Sequence, residues 1–272
     1  MKILIIGFGN MGQTYAKSFV NSGFVLPNDI FLLSRSDIQK KKQFSIPKEN
    51  FKTEVTAALF DVDIVILAVK PQDFNVLSTQ IKPFLNVEHL LLSVMAGISI
   101  ERIQNTLNVE KVVRSMPNIP TQIGQGITVF SASQEVDRKE LFIIQNLINT
   151  TGKSLYVNDE NMLNPATAIS GSGPAYVYFF MNAMISAAEK LGFSNSEAIF
   201  LVNNTFLGAV QLQNRSNLSH QEWIEKVASK GGTTEAALNI FNNFEVPNKI
   251  MSGILEADKR AEELGKLFDK VN

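Results

Sequence analysis

The sequence predicts an α/β protein: an N-terminal doubly wound, mostly parallel sheet followed by an all-helical C-terminal region. Three observations carry that expectation. Apolar strand-like runs alternate with helical patterns up to residue 158, the first run leads into a glycine loop, and no convincing strand follows. Alternating strand and helix signals are what a parallel sheet with helices on both faces requires.

The strand-like runs are Ile3–Ile6, Ile30–Leu33, Ile64–Val69, Leu90–Val94, Val112–Met116, Ile127–Phe130 and Ser154–Val157. Helical patterns fall between several of them, at Met11–Ser22, Asp73–Leu85 and Val136–Thr150. Within Asp63-Ile-Val-Ile-Leu-Ala-Val69 the apolar residues are continuous rather than alternating, as in strands buried on both faces. From Asp159 onward the pattern is helical, at 160–169, 174–191, 195–214, 219–228, 232–242 and 247–268. The expected domains are therefore 1–158 and 159–272.

The segment Pro174–Leu191 carries apolar residues nearly all round its helix: Tyr176, Phe179, Phe180, Ala183 and Met184 on one face, Val177, Met181 and Ile185 opposite. Such a helix is buried on several sides. Ala198–Leu212 is almost as apolar, and together they imply a helical interface with a second subunit. The other reading is a well-packed monomeric core.

Composition narrows the chemistry. A net charge of −1 over 272 residues leaves no basic footprint for nucleic acid or for a membrane surface. The absence of cysteine excludes disulfides, thiol nucleophiles and thiolate metal sites. The histidines, His89 and His220, lie outside every motif, and no metal site is read. The apolar run after Lys2 is too short for a signal peptide, and Ala175–Ala188, interrupted by Asn182 and Ser186, is too short for a bilayer. A cytoplasmic enzyme is expected.

The glycine loop is Gly7-Phe8-Gly9-Asn10-Met11-Gly12. Between a strand and a helix start, this GxGxxG spacing is a Rossmann-like dinucleotide signature. Gly7 permits the turn, Gly9 lets the backbone approach a pyrophosphate, and Gly12 lets helix and strand pack closely. The helix N-terminus offers N–H groups to the phosphates. After the second strand come Ser34-Arg35-Ser36, two hydroxyls and a guanidinium suited to a 2′-phosphate, with Asp37 one step later as a competitor. NADPH is the preferred coenzyme, with NADH as a second. Ala68-Val69-Lys70-Pro71 follows a later strand at the expected edge of the same crevice. Ala96-Gly97 and Met116-Pro117-Asn118 end the next two strands on the nicotinamide side.

Two segments interrupt the helical pattern of the C-terminal region. In Ser170-Gly171-Ser172-Gly173-Pro174-Ala175-Tyr176, Ser172 is placed to cap the following helix and Pro174 suits its first turn. Ser229-Lys230-Gly231-Gly232-Thr233-Thr234 again leads into a helix. Glycines and hydroxyls at a helix start suit a small anion such as a carboxylate.

With these segments in order, the chain resembles the Δ1-pyrroline-5-carboxylate reductases of proline biosynthesis. The matching stretches are Gly7–Gly12, Ala68–Pro71, Met95-Ala-Gly-Ile98, Met116-Pro-Asn-Ile-Pro120, Ser170–Tyr176, Ser229–Thr234 and the tail Glu256–Gly265, collinear over essentially the whole chain. The resemblance implies hydride transfer from NAD(P)H to C5 of a cyclic imine. It implies a homodimer, alone or as the unit of a larger oligomer, with the active site at the interface. It also implies that Ser229, Gly231, Gly232, Thr233 and Thr234, with Ser172, hold the substrate, and that Thr234 bonds the ring nitrogen. Lys230 stands where many members carry Pro, Asn182 where an acid is frequent, and Asn204 where Gln is common. A related imine reductase and a non-catalytic dinucleotide-binding paralogue are the alternatives; the retained Gly-Gly-Thr-Thr loop favours the enzyme. A β-hydroxyacid reductase would need a lysine early on the first long helix, and Lys190 lies at its far end.

Overall fold

The computed structural model describes residues 1–35 and 45–269. Ser36 and Asp37, expected near the coenzyme, lie outside the described residues. The chain divides into two compact units, one of Met1–Ser172 with Ala257–Asn272 and one of Gly173–Glu256.

The first unit is built on an eight-stranded sheet of order β3-β2-β1-β4-β5-β6-β7-β8. Its strands are β1 (Ile3–Ile6), β2 (Ile30–Leu33), β3 (Phe51–Lys52), β4 (Ile64–Leu67), β5 (Leu90–Ser93), β6 (Val112–Pro117), β7 (Gly126–Ala132) and β8 (Gly152–Tyr156). The first six pair in parallel, β7 runs antiparallel to β6, and β8 runs parallel to β7. The order reverses at β1, between β2 and β4, which is the switch point where open α/β sheets bind ligands.

The continuous apolar runs are explained by two cores, one on each sheet face. Ile3, Ile5, Ile64 and Ile66 join Tyr15, Phe19 and Ile144 in one core. Leu4, Ile6, Val65 and Leu67 join Phe74, Ile81 and Ile103 in the other. Alternate residues of β1 and β4 thus serve opposite faces, as strand geometry demands. Helices α1 (Asn10–Asn21) and α4 (Arg138–Asn149) contribute to the first core; α2 (Phe74–Ile81) and α3 (Ile100–Leu107) contribute to the second.

Several elements differ from expectation. The single helix expected over Asp73–Leu85 is α2 followed by a 3₁₀ turn at Lys82–Phe84, because Pro83 has no N–H for a helical bond. Neither β3, two residues long, nor α3 was anticipated. Helix α3 is short but strongly defined: Ser99 accepts the Arg102 N–H at its start, and Asn108 ends it in the left-handed region at φ 56°.

After β8 the chain makes a 3₁₀ turn at Glu160–Met162, helix α5 (Leu163–Ala166) and a π-helical turn at Thr167–Gly171. Glu160 ties this segment to the sheet. Its Oε1 accepts from Arg114 Nη1 on β6 at 2.7 Å and from the Ile100 N–H at 2.9 Å.

The second unit is helical: α6 (Gly173–Lys190), α7 (Asn195–Asn214), α8 (His220–Val227), α9 (Thr233–Asn243) and the first part of α10 (Val246–Asp269). No residue of α6, α8 or α9 is buried, and α7 buries only Ala198 and Val202. The monomeric packed core is therefore not what these apolar helices form.

Candidate active site

The carboxyl ends of the central strands are drawn together by backbone bonds. Gly7 N–H donates to Leu33 O at 2.9 Å, Ala68 N–H to Ile6 O at 2.8 Å, Ser34 N–H to Lys52 O at 3.0 Å, and Val94 N–H to Leu67 O at 3.1 Å. The loops after β1, β2, β4 and β5 thus form one edge. Between the first three lies a cleft of about 560 Å³, lined by Gly7, Phe8, Gly9, Ser34, Arg35, Ala68, Val69, Lys70 and Asp73 among others.

The glycines of the first loop have separate jobs. Gly7 has φ +97°, and a Cβ there would stand 2.5 Å from Ala68 O. A Cβ on Gly12 would stand 2.0 Å from Gly7 O, so only glycine lets α1 leave β1 at this angle. Gly9 is different: it has an ordinary extended φ of −74°, and a Cβ there meets nothing within 4 Å. That open side is the approach a pyrophosphate needs, and Asn10, Met11 and Gly12 present the first N–H groups of α1 behind it. These residues fit a dinucleotide.

At the far side of the cleft, Arg35 Nη2 donates to Asp73 Oδ2 at 2.8 Å. The 3₁₀ turn Pro71–Asp73 positions this carboxylate, and Lys70 stands exposed at its start. The partner of Arg35 is thus an acid 38 residues away in sequence.

Ala96 and Gly97 follow β5, and Met116 and Pro117 finish β6, one and two strands along the same edge. Asn118 is a bracket. Its Nδ2 donates to Ser170 O at 3.1 Å, and its Oδ1 accepts the Ile127 N–H at 3.0 Å. It therefore fastens the π-helical turn to the end of β6. Gly171 in that turn packs against Met116, where a Cβ would come within 2.9 Å of Cε.

Ser172 does not cap α6. Its backbone is helical, with φ −83° and ψ −21°, and its N–H donates to Thr167 O at 2.8 Å, the i to i−5 bond of a π turn. The hydroxyl-rich segment Thr167–Gly171 is a widened helical turn rather than a loop, with helical dihedrals at Thr167 and Ser172 on either end. Single π turns of this kind recur at functional sites.

In the second unit, Ser229–Thr234 forms a tight turn into α9. Gly231 has φ +74°, Gly232 is the N-cap, and the Gly232 N–H donates to Ser229 O at 2.9 Å. A Cβ on Gly232 would stand 2.9 Å from the backbone Ser229 O, which favours glycine there. Thr233 and Thr234 occupy the first two positions of α9, and no side chain caps their N–H groups. They present orphan amide donors and two hydroxyls at a positive helix end. The Gly231 N–H is not among the available donors, since Glu235 Oε2 accepts it at 2.7 Å. Sequence reading missed Glu235, although an acid in the first turn of a helix is a recognisable signal.

Comparison with known proteins adds the chain's relatives. Residues 160–264 match the family described as pyrroline-5-carboxylate reductase dimerisation, and residues 2–97 match NADP oxidoreductase, coenzyme F420-dependent. A pyrroline-5-carboxylate reductase of Staphylococcus aureus (strain COL) is 33% identical, covering 99% of this chain and 100% of its own. A Plasmodium falciparum pyrroline carboxylate reductase with NADP bound is 27% identical, covers 97% of this chain and 98% of its own, and superposes with a TM-score of 0.86. The Coxiella burnetii pyrroline-5-carboxylate reductase is 28% identical over the same shares, with a TM-score of 0.87. With the glycine cradle at the switch point, the Gly-Gly-Thr-Thr turn and near-complete coverage of such relatives, this chain belongs to the pyrroline-5-carboxylate reductase family.

Proposed function

We propose that this protein reduces Δ1-pyrroline-5-carboxylate to L-proline as a cytoplasmic homodimer, with its active site at the subunit interface. The observation that carries the reading is the pairing of two features in one chain of this family. One is a dinucleotide cradle open only at Gly9; the other is a turn that offers hydroxyls and orphan amides at a helix start. We assign dinucleotide binding to residues 1–158, and dimerisation and substrate binding to 159–272. Among the described residues no helix is long and apolar enough to cross a membrane, and no cluster of ligating side chains would hold a metal ion.

Bound NADPH supplies the hydride. The protein's share is binding and orientation, because a protonated cyclic imine is already electrophilic. Gly7–Gly12 takes the pyrophosphate against the α1 N-terminus, and Ser34 and Arg35, with Ser36, take the 2′-phosphate. Ala68–Pro71 borders the coenzyme, and Ala96, Gly97, Met116, Pro117 and Asn118 border its nicotinamide. The N–H groups of Thr233 and Thr234, with Ser229 and the α9 dipole, take the substrate carboxylate. The Thr234 hydroxyl bonds the ring nitrogen, and Ser172 completes the substrate contacts.

The test is NADPH oxidation with pyrroline-5-carboxylate, run beside NADH. We expect turnover with both coenzymes, with NADPH preferred, and for Thr234→Ala a drop in kcat/KM of roughly tenfold to a hundredfold, the worth of a hydrogen bond to a charged group. No turnover with either coenzyme overturns the enzyme reading in favour of a dinucleotide-binding paralogue. Unchanged kinetics in Thr234→Ala removes that residue from its role.

A further inference from the structure

We infer that Asp73 sets the coenzyme preference of this enzyme by competing with the NADPH 2′-phosphate for Arg35. The inference rests on the reading of the cleft beside Gly7–Gly9 as the coenzyme site. Arg35 and Asp73 both line that cleft, and their side chains meet at 2.8 Å. Arg35 follows β2, the position from which a Rossmann-type fold addresses the ribose 2′ group.

The two partners are not equivalent. The Arg35 side chain is 84% exposed, whereas that of Asp73 is 30% exposed and sits on a turn closed by Pro71 and by its own N–H bond to Lys70 O. Asp73 also carries no capping duty. It is the N-cap residue of α2, yet its carboxylate makes no capping bond, and its backbone is helical at φ −86° and ψ −10°. Capping needs extended dihedrals at the N-cap, so the helical backbone of Asp73 leaves its carboxylate with no first-turn N–H to accept. Here the carboxylate is committed to the guanidinium instead. A 2′-phosphate must displace it to engage the same fork of donors. A coenzyme with a 2′-hydroxyl meets no such competition. Asp73 is a positioning residue that holds Arg35 aside and narrows the preference for NADPH.

Titration calorimetry of NADPH and NADH against the intact protein tests this, using Asp73→Asn, Arg35→Gln and the double variant. Asparagine keeps the size of Asp73, which makes no capping bond, and equal melting temperatures establish intact folding. We expect Asp73→Asn to tighten NADPH roughly two- to fivefold, the scale of an exposed ion pair, and to leave NADH unchanged. Arg35→Gln is expected to weaken NADPH roughly tenfold. In the Arg35→Gln background, Asp73→Asn is expected to have no further effect on NADPH, since the two act as one unit. An unchanged NADPH to NADH ratio in Asp73→Asn overturns the inference. So does a gain of the same size with Arg35 absent, which would mean direct repulsion. Failure of the wild type to bind either coenzyme overturns the coenzyme reading itself, and this inference with it.

Discussion

Single residues here divide into those that make the fold possible and those that leave room for a ligand, and Gly9 and Gly12 separate the two cleanly. A methyl group at Gly12 has nowhere to go, standing 2.0 Å from the Gly7 carbonyl, whereas one at Gly9 touches nothing. Gly12→Ala is therefore expected to destabilise the first unit by several kcal/mol, about 3 or more, through overpacking of the β1–α1 junction. Gly9→Ala is expected to leave the melting temperature within a degree or two and to weaken NADPH at least tenfold by blocking the backbone approach. Thermal unfolding and coenzyme titration on the two variants check this. Loss of stability in Gly9→Ala would show that the loop has no open side. The distinction between these glycines was legible in the sequence, because spacing alone assigns their roles. The partner of Arg35 was not. Asp73 reaches Arg35 only because β4 lies two strands from β2 across β1, and that adjacency has no local signature.

At the scale of elements, the continuous apolar strands and amphipathic helices of the first unit were legible, since burial on both sheet faces leaves a compositional trace. The antiparallel β7, the two-residue β3 and the π turn were less so. Their identity depends on which neighbour they pair with or on a hydrogen-bond offset, and Ser170-Gly-Ser-Gly-Pro174 has the composition of a loop. Helix starts, by contrast, are read directly. Ser194 with Glu197 and Ser219 with Glu222 are reciprocal capping boxes at α7 and α8. The Ser194 hydroxyl and N–H hold the Glu197 carboxyl below its ordinary 4.5, and the Ser219 N–H and hydroxyl do the same for Glu222. A depressed carboxyl contributes stability that is complete above its unfolded value and lost as pH falls through the folded one. Amide exchange at the first turns of α7 and α8 is thus expected to be constant from pH 8 to about pH 5, after correction for intrinsic rates. Protection should then decline below about pH 4. Glu197→Gln, which cannot titrate, should remove that acid step at α7 alone. A step that survives in this variant would place its origin elsewhere.

For the whole molecule, the decisive fact is that the second unit has almost no interior of its own. Leu191 is 81% exposed, Phe179 73% and Phe200 68%, alongside exposed Leu207, Phe241 and Phe244. Isolated exposed apolar residues are ordinary, but a run of them over α6, α7 and α9 amounts to a core cut in half, the character of an obligate dimer interface. Replacing them by charge leaves the sheet of the first unit untouched and asks the interface alone to respond. Phe179→Glu combined with Phe200→Glu is expected to convert the dimer to monomer at micromolar concentration, measured by sedimentation. The monomer should bind a hydrophobic dye, lose pyrroline-5-carboxylate turnover, and still take up NADPH through Gly7–Gly12. Thr234→Ala, at a substrate position, should remain dimeric. A double variant that sediments as the intact dimer would mean that the apolar faces of α6 and α7 are not what joins the subunits. Loss of NADPH uptake together with the dimer would mean that the coenzyme cradle is not self-sufficient within one chain. Uptake retained without turnover is the outcome expected of an enzyme whose coenzyme site is carried by each chain and whose substrate site exists only in the pair.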